Sequence, residues 1–189
     1  MALVLTAPPT AEPISLADAK AHLRVTGAAE DGLISTLMIA ARKQVELAAG
    51  LALITQGWSY YLDRWPGTQT IDLPLAPLRV IDNVFVYGED DVGASIDAAH
   101  YFADSVSHPP RLALRTGRVW PPPGRAANGI EIAFHAGFGA AAANVPEPLR
   151  QAVLMLVAHG FEHRGDEAGL RGVPPGFDAA VAPFRRVRL

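Results

Sequence analysis

The spacing of apolar positions near the start of the chain predicts a short helix. Ser15 followed by Asp18 has the form of an N-cap with an acidic residue three positions on. Apolar residues then recur at helical spacing up to about Arg24. We therefore expect a helix that begins just after Ser15 and ends near Arg24.

A second, longer helix is predicted between about residues 30 and 49. Its apolar positions recur every three or four residues, and they are Leu33, Ile34, Leu37, Met38, Ala41, Val45 and Ala48. Gly50 is placed to stop the helix, whereas Arg42, Lys43 and Glu46 fall mostly on the opposite side. The helix is therefore amphipathic and needs a partner surface.

Between residues 53 and 137 the pattern changes to a period of two, and Gly, Pro and Asp interrupt it about every ten residues, which is typical of a small antiparallel β module. The candidate strands cover residues 54–62, 70–73, 80–87, 100–104, 111–115 and 129–135. Both faces of the strand at 80–87 are partly apolar, so we expect this strand to lie inside a sheet.

The third predicted helix begins at Pro146 or Pro148, residues that the first turn of a helix tolerates, and runs to about His163. It is apolar nearly all round, so we expect neighbours on most of its sides. In a chain of this size other subunits are candidates for some of those neighbours. The residues that are candidates for packing between subunits are Leu149, Val153, Leu154, Met155, Leu156 and Val157.

The last stretch, residues 164–189, is rich in Gly and Pro up to Phe177. Phe177, Val181 and Phe184 then follow at helical spacing, before the basic ending Arg185-Arg186-Val187-Arg188-Leu189. The segment is too apolar for a disordered tail and too short for a core of its own, so we expect it to dock on another surface. Arginine together with aromatic residues favours a protein partner over nucleic acid.

Composition narrows the class of protein. With 189 residues, of which 50% are hydrophobic and 19% charged, the chain can bury one good core. Its 16 basic and 19 acidic residues give a net charge of -3, so no global positive field is available to hold phosphate backbones. The absence of cysteine removes disulfides, cysteine zinc sites and thiol catalysis. The N-terminus has the form of neither a signal peptide nor an anchor, and no apolar stretch is long enough to span a bilayer.

One motif fits an enzyme. His159, Glu162 and His163 match H-x-x-E-H, in which two histidines one turn apart bind zinc and the glutamate acts as a general base. A catalytic site also needs a third protein ligand, and no other histidine stands at a spacing that nominates it. We therefore favour a helix end at which His163 and Arg164 meet the negative pole of the dipole. A metal-dependent hydrolase that uses the three motif residues is the alternative.

Two further patterns have competing interpretations. Gly137-Phe138-Gly139 followed by Ala142 matches the dinucleotide motif G-x-G-x-x-A, but the next helix begins too late, so we favour a glycine-lined exit from the β module. The second pattern is a group of aromatic residues that would stack on sugar rings in a carbohydrate-binding module, although such residues more often belong to a core. These aromatic residues are Trp58, Tyr60, Tyr61 and Trp65.

Motifs along nearly the whole chain point to one family. The first part carries PISLADAKAHLRV at residues 13–25 and LITQ at 53–56. Further on, DLPLAPL at 72–78 and VPEPLRQA at 145–152 precede a proline-aromatic-arginine-arginine ending at 183–186. In this order the motifs resemble the head-tail connector, or adaptor, proteins of long-tailed bacteriophages and of gene transfer agents.

The resemblance implies an α+β fold with a helical connector core from residues 1–52 and 138–189, an inserted antiparallel β module from residues 53–137, and an extended C-terminal docking segment. It implies a structural adaptor with no enzymatic activity, no metal and no cofactor. Such adaptors form a ring, expected to be a dodecamer, at the head-tail junction of the virion. We expect assembly in the bacterial host cytoplasm, with no membrane involved.

The resemblance also implies partners. The C-terminal segment is expected to dock on the portal protein, while the opposite side receives a head-closure or tail protein. DNA is expected to pass through the lumen of the ring without sequence-specific binding. The candidates for portal docking are Phe177, Val181, Phe184, Arg185, Arg186, Arg188 and Leu189.

Overall fold

A computed structural model describes residues 1–164 and 172–185 of the chain. The chain divides into two compact units. One, which we call the β unit, consists of Met1–Pro9 and Thr55–Phe138. The other, the helical unit, consists of Thr10–Ile54 and the chain from Gly139 onward. Helices and antiparallel sheets are both present, which confirms the predicted α+β class.

The helical unit is built from α1 (Leu16–Leu23), α2 (Asp31–Ala49), α3 (Glu147–Glu162) and α4 (Phe177–Val181). The capping box predicted for α1 is present. The Asp18 N–H donates to Ser15 Oγ over 3.0 Å, and the Ser15 N–H donates to Asp18 Oδ2 over 3.3 Å. Gly50 ends α2 in the left-handed region at φ 69°, as its position predicted.

The core of the helical unit lies around α3, which packs against α1, α2 and α4. The buried side chains of α3 occupy most of its circumference, in agreement with the prediction of neighbours on most sides. The largest fully buried side chains of the helical unit are Phe177, Ile34, Leu53, Ile54, Leu149 and Val45. Among the described residues, no helix combines the length and the apolar character needed to cross a membrane.

Arg42 departs from the prediction that it lies on the polar side of α2. Its side chain is buried, with the residue only 5% exposed, and its guanidinium is held by two carboxylates. Nε donates to Glu12 over 2.8 Å, and Nη1 donates to Glu46 over 2.9 Å. A buried charge requires such partners. Helical spacing alone did not show the pair with Glu12, because Glu12 precedes both helices.

The β unit contains eight strands, which are β1 (Ala2–Ala7), β2 (Gln56–Leu62), β3 (Thr70–Asp72), β4 (Leu78–Tyr87), β5 (Gly93–Ser95), β6 (Tyr101–Asp104), β7 (Arg111–Leu114) and β8 (Ile130–Ala136). They form a five-stranded sheet in the order β1-β2-β8-β4-β5 and a three-stranded sheet in the order β3-β7-β6. All six predicted strands are present. β4 pairs with a strand on each side, as predicted.

The N-terminal strand differs from the expectation that residues 1–52 belong to the helical part. β1 pairs antiparallel with β2, with Leu3 opposite Tyr60 and Val4 opposite Ser59, so this segment is part of the five-stranded sheet. All six residues of β1 are exposed. A strand that buries neither face has no alternation of apolar and polar positions, which is why the period of two did not reveal it.

Candidate functional site

The described part of the C-terminal segment is anchored on its own helical unit. Phe177 and Val181 lie on α4 and are 2% and 0% exposed, because α4 packs against α3. Gly176 precedes α4 in the left-handed region at φ 87°. Part of the segment that was predicted to dock on another surface therefore packs on α3 of its own chain. Phe177 and Val181 are not accessible to a separate protein in this structure.

The half-exposed part of this segment follows α4. Phe184 ends a short 3₁₀ turn, Ala182–Phe184, and Arg185 comes next, and both side chains are partly accessible. The Arg185 Nη2 donates to Asp178 Oδ1 over 2.5 Å, forming an ion pair at the surface. Arg186, Arg188 and Leu189, the other predicted docking residues, lie outside the described residues. Phe184 and Arg185 are thus the described residues of the predicted docking set that a partner can reach.

The six candidates for packing between subunits lie on α3. All except Met155 are buried inside the helical unit. Packing within the chain therefore explains their apolar character, and the five buried side chains offer no surface to a neighbouring subunit. Met155 is half-buried, and its methyl group lies 3.2 Å from where a Cβ on Gly176 would be.

The histidine motif sits at the C-terminal end of α3. The rings of His159 and His163 lie 4.4 Å apart between centroids. His163 Nδ1 is 2.9 Å from the His159 carbonyl oxygen, and the His163 N–H donates to the same oxygen over 3.1 Å. A carbonyl only accepts, so Nδ1 carries the proton and the ring helps to satisfy the end of the helix. Across residues 1–164 and 172–185 no group of three His, Asp or Glu side chains is close enough to hold a metal ion.

The glycines of the predicted dinucleotide-like motif have local structural roles. Gly137 follows β8 at φ 141°, and its N–H donates to the Pro77 carbonyl over 2.9 Å. A Cβ added at Gly139 would collide with the side chain of Asn144, whose Oδ1 accepts from the Ala141 N–H over 3.1 Å. The space beside Gly139 is therefore filled by Asn144 and is not open to a phosphate.

The aromatic residues considered for sugar binding are divided between two places. Trp58, Tyr60 and Tyr61 are half-buried along β2. Trp65 instead stacks on Trp120, with ring centroids 4.3 Å apart and an angle of 12° between planes, and its Nε1 donates to the Pro121 carbonyl over 2.7 Å. Because a second ring already covers one face of Trp65, this stack holds loops of the β unit together.

A carboxylate in β8 organises polar side chains across three strands of the five-stranded sheet. Glu131 accepts from Ser59 Oγ of β2 and from the Tyr87 hydroxyl of β4, each over 2.6 Å. Burial raises the pKa of Glu131, but hydrogen bonds from Ser59, Tyr87 and Tyr61 outweigh it and hold the pKa below its usual value. We call Ser59, Tyr61, Tyr87 and Glu131 the Glu131 network. These residues are distant in sequence, and only the strand order brings them together.

The same network shifts the pKa of Tyr87 upward. The hydrogen bond to Glu131 is the main cause, with burial second, and together they raise the pKa of Tyr87 to about 12. The guanidinium carbon of Arg125 lies 3.9 Å from the centroid of the Tyr87 ring, a cation-π contact. The Glu131 network thus ties β2, β8 and β4 together through charge-assisted hydrogen bonds.

The first strand of the β unit carries three consecutive exposed aliphatic side chains. Leu3, Val4 and Leu5 are 36%, 46% and 42% exposed. β1 is the last strand of its sheet and pairs with β2 alone. It was not among the residues selected from the sequence, although its uninterrupted run of uncharged residues, A-L-V-L-T-A, is a signal for a strand.

Comparison with known proteins gives a consistent result. The family model described as "Phage gp6-like head-tail connector protein" matches residues 13–107. No curated protein sequence matches significantly. Among solved structures, a chain from the neck of an empty GTA particle, computed with C6 symmetry, is similar with a TM-score of 0.87 and 29% identity. A chain from the virion of a native gene transfer agent (GTA) particle has a TM-score of 0.85 and 26% identity.

A third chain comes from the neck of a native GTA particle, computed with C12 symmetry, and has a TM-score of 0.83 and 26% identity. In all three cases the similarity covers 100% of this chain and 97% of the other. The likeness therefore extends over both units.

Proposed function

This chain belongs to the phage gp6-like head-tail connector family and is a structural adaptor of the head-tail junction. We propose that it is the subunit of a ring that joins the portal to the head-closure or tail proteins. The observation that carries this proposal is the similarity, over the whole length of the chain, to chains of gene transfer agent necks. The protein is thus assigned to a virion or to a phage-like particle.

Twelvefold assembly is the expected form of the ring. It is supported by the similar chain from a neck computed with C12 symmetry, and a related neck was computed with C6 symmetry. A cyclic ring is built from heterologous contacts, in which each subunit presents one surface to the neighbour ahead and a different surface to the neighbour behind. Free subunits need not form such a ring before they meet the rest of the particle.

The adaptor is proposed to act without catalysis. The His163 ring engages the end of α3 and lies against the His159 ring. Gly139 is packed against Asn144, and Trp65 stacks within the β unit, so these residues have structural roles. DNA is proposed to pass through the ring without sequence-specific binding. A net charge of -3 supports this, because a strongly cationic channel would hold the phosphates of moving DNA.

Docking on the portal is proposed for the end of the chain. Phe177 and Val181 fix α4 on the helical unit, so that the chain beyond α4 starts from a defined place. Phe184 and Arg185 follow directly and are partly exposed. An aromatic ring beside a guanidinium is a combination that protein interfaces favour. The residues that follow Arg185 are proposed to extend the same contact.

The test is removal of residues 183–189. We expect the truncated protein to remain folded, because Phe177 and Val181 stay in place, and to fail to join the portal in co-purification and in assembled particles. The matched control is Lys43→Ala, which removes an exposed charge elsewhere on the helical unit and should join the portal normally. Normal particle assembly by the truncated protein would refute the docking role.

A further inference from the structure

We propose that β1 adds as an extra strand to the open edge of β5 in a neighbouring copy of this chain, so that the five-stranded sheet continues from subunit to subunit. This inference rests on the proposed function for the existence of a ring. It assigns the contact between copies to two strand edges of the β unit.

The exposure of β1 shows what kind of partner it accepts. Leu3 and Leu5 are on one face of the sheet and Val4 is on the other, and all three are more than one third exposed. A helix packed on one face would leave the other face exposed, whereas an added strand contacts side chains on both faces. β1 also lacks the charged side chains and prolines that prevent edge strands of monomeric proteins from pairing with other chains. Its features therefore favour a strand as the partner.

The opposite edge of the same sheet has matching properties. The chain from residue 92 to residue 96 runs along β4, since the Gly88 N–H donates to the Val92 carbonyl over 3.1 Å and the Ile96 N–H donates to the Val84 carbonyl over 2.8 Å. This stretch, V-G-A-S-I, is uncharged and contains no proline. It has five residues against the six of β1, and Val92 at its start is 62% exposed. The two edges are similar in length, and neither carries a charge that would repel the other.

Strand direction fits a ring. Four successive antiparallel pairings separate β1 from β5, so the two strands run in the same direction. A rotation about an axis along the strands keeps that direction, and β1 then lies parallel to β5 of the next subunit. Pairing of β1 with a second β1 would instead be antiparallel and twofold, and would stop at a dimer. Only two different edges allow a closed ring of many copies.

Cross-strand neighbours decide which side chains should meet. Ala2, Tyr61, Glu131, Phe85 and Ser95 are successive partners across the five strands, so Ala2 and Ser95 lie on one face of the sheet. Val4 is two residues from Ala2 and shares that face. Ala94, next to Ser95, points to the opposite face.

The absence of cysteine from the chain permits a clean crosslinking experiment. Thr6 Oγ1 lies beside Gly57 on the same face as Val4. Val4→Cys or Thr6→Cys, the two registers on this face in which residues 92–96 run alongside β1, would each be combined with Ser95→Cys. Each double variant would be co-expressed with the portal protein of its own particle and oxidised. We expect one of the two to give a ladder of covalent multimers, and the same β1 variant combined with Ala94→Cys to lose that ladder, because its thiols lie on opposite faces.

Three results would overturn the proposal. Rings that assemble without crosslinks in either register would refute the strand contact while leaving the adaptor function intact. Covalent dimers formed by Val4→Cys alone, at the rate of the double variant, would show a twofold contact instead. Failure of the unmodified chain to form any ring with its portal would refute both the adaptor ring and this inference.

A charge variant tests the same edge by a different measurement. Val4→Lys places a cation on the exposed edge, so we expect loss of ring assembly without a change in the thermal midpoint of the free protein. Val106→Lys changes a side chain that is 95% exposed outside both edges and should assemble normally. Normal rings from Val4→Lys would contradict the proposal.

Discussion

The helical unit and the β unit differ in how completely they bury their apolar side chains. The helical unit buries the large side chains of α3 and α4, and it even buries Arg42 between two carboxylates. The β unit buries the central strands of its larger sheet but leaves the aliphatic side chains of β1 exposed. We infer that the helical unit owes its stability to its own contacts, whereas the edge of the β unit is completed by assembly.

This difference corrects a simple expectation about interfaces. The run of apolar residues in α3 was the natural candidate for contact between subunits, yet α1, α2 and α4 surround that helix within the chain. The shorter apolar run in β1 has neither helical spacing nor alternation, yet it is the one that stays exposed. Apolar sequence indicates burial somewhere, and only the tertiary structure shows whether the burial is already satisfied.

The largest expected effect tests whether α4 belongs to the core of the helical unit. Phe177→Ala should lower the free energy of unfolding by about 3–5 kcal/mol, because it leaves a cavity against α3. Phe184→Ala, the matched control on the half-exposed ring, should cost less than about 1 kcal/mol. Urea unfolding measures both. Equal effects of the two substitutions would mean that α4 is not packed as described.

The next effect concerns the buried charge of α2. Arg42→Ala leaves the carboxylates of Glu12 and Glu46 without their shared cation and should cost about 3 kcal/mol. Lys43→Ala, on the neighbouring exposed position, should change stability by no more than about 0.5 kcal/mol. A small cost for Arg42→Ala in urea unfolding would show that the cluster is not needed for the fold.

How much the sequence predicted depended on whether the signal was local. The Ser15 capping box and the Gly50 stop are determined by neighbouring residues, and both were predicted. The alternation in β8 identifies its buried face, and that strand was also predicted. The pair between Arg42 and Glu12 joins residues 30 positions apart, so no local pattern contains it.

The candidate sites follow the same rule. Helical spacing predicted that Phe177, Val181 and Phe184 share a face, but it did not separate the two buried residues from the accessible one. Ser59 and Tyr87 meet at Glu131 only because β8 lies between β2 and β4. Strand order in an antiparallel sheet is set by long-range pairing, which the period of two does not specify.

A moderate effect is expected from the Glu131 network, the polar counterpart of the Arg42 cluster in the β unit. Glu131→Gln removes the charge that strengthens the hydrogen bonds from Ser59 and Tyr87 and should cost about 1–2 kcal/mol. Glu89→Gln, at the exposed turn between β4 and β5, is the matched control and should be silent. If both variants unfold at the same urea concentration, the network does not contribute to stability.

The smallest expected effect is on the ionisation of the Tyr87 hydroxyl in the β unit, which a pH titration measures. Because the folded pKa of Tyr87 is about 12 and the unfolded pKa is about 10, its contribution to stability is present below pH 10 and is lost as pH rises from 10 to 12. Burial also raises the pKa values of Tyr61 and Tyr101. Phenolate absorbance of the folded protein should therefore show a late phase whose amplitude Tyr87→Phe reduces and whose Tyr87 part Glu131→Gln moves toward pH 10. An unchanged amplitude of the late phase in Tyr87→Phe would break the link between Tyr87 and Glu131.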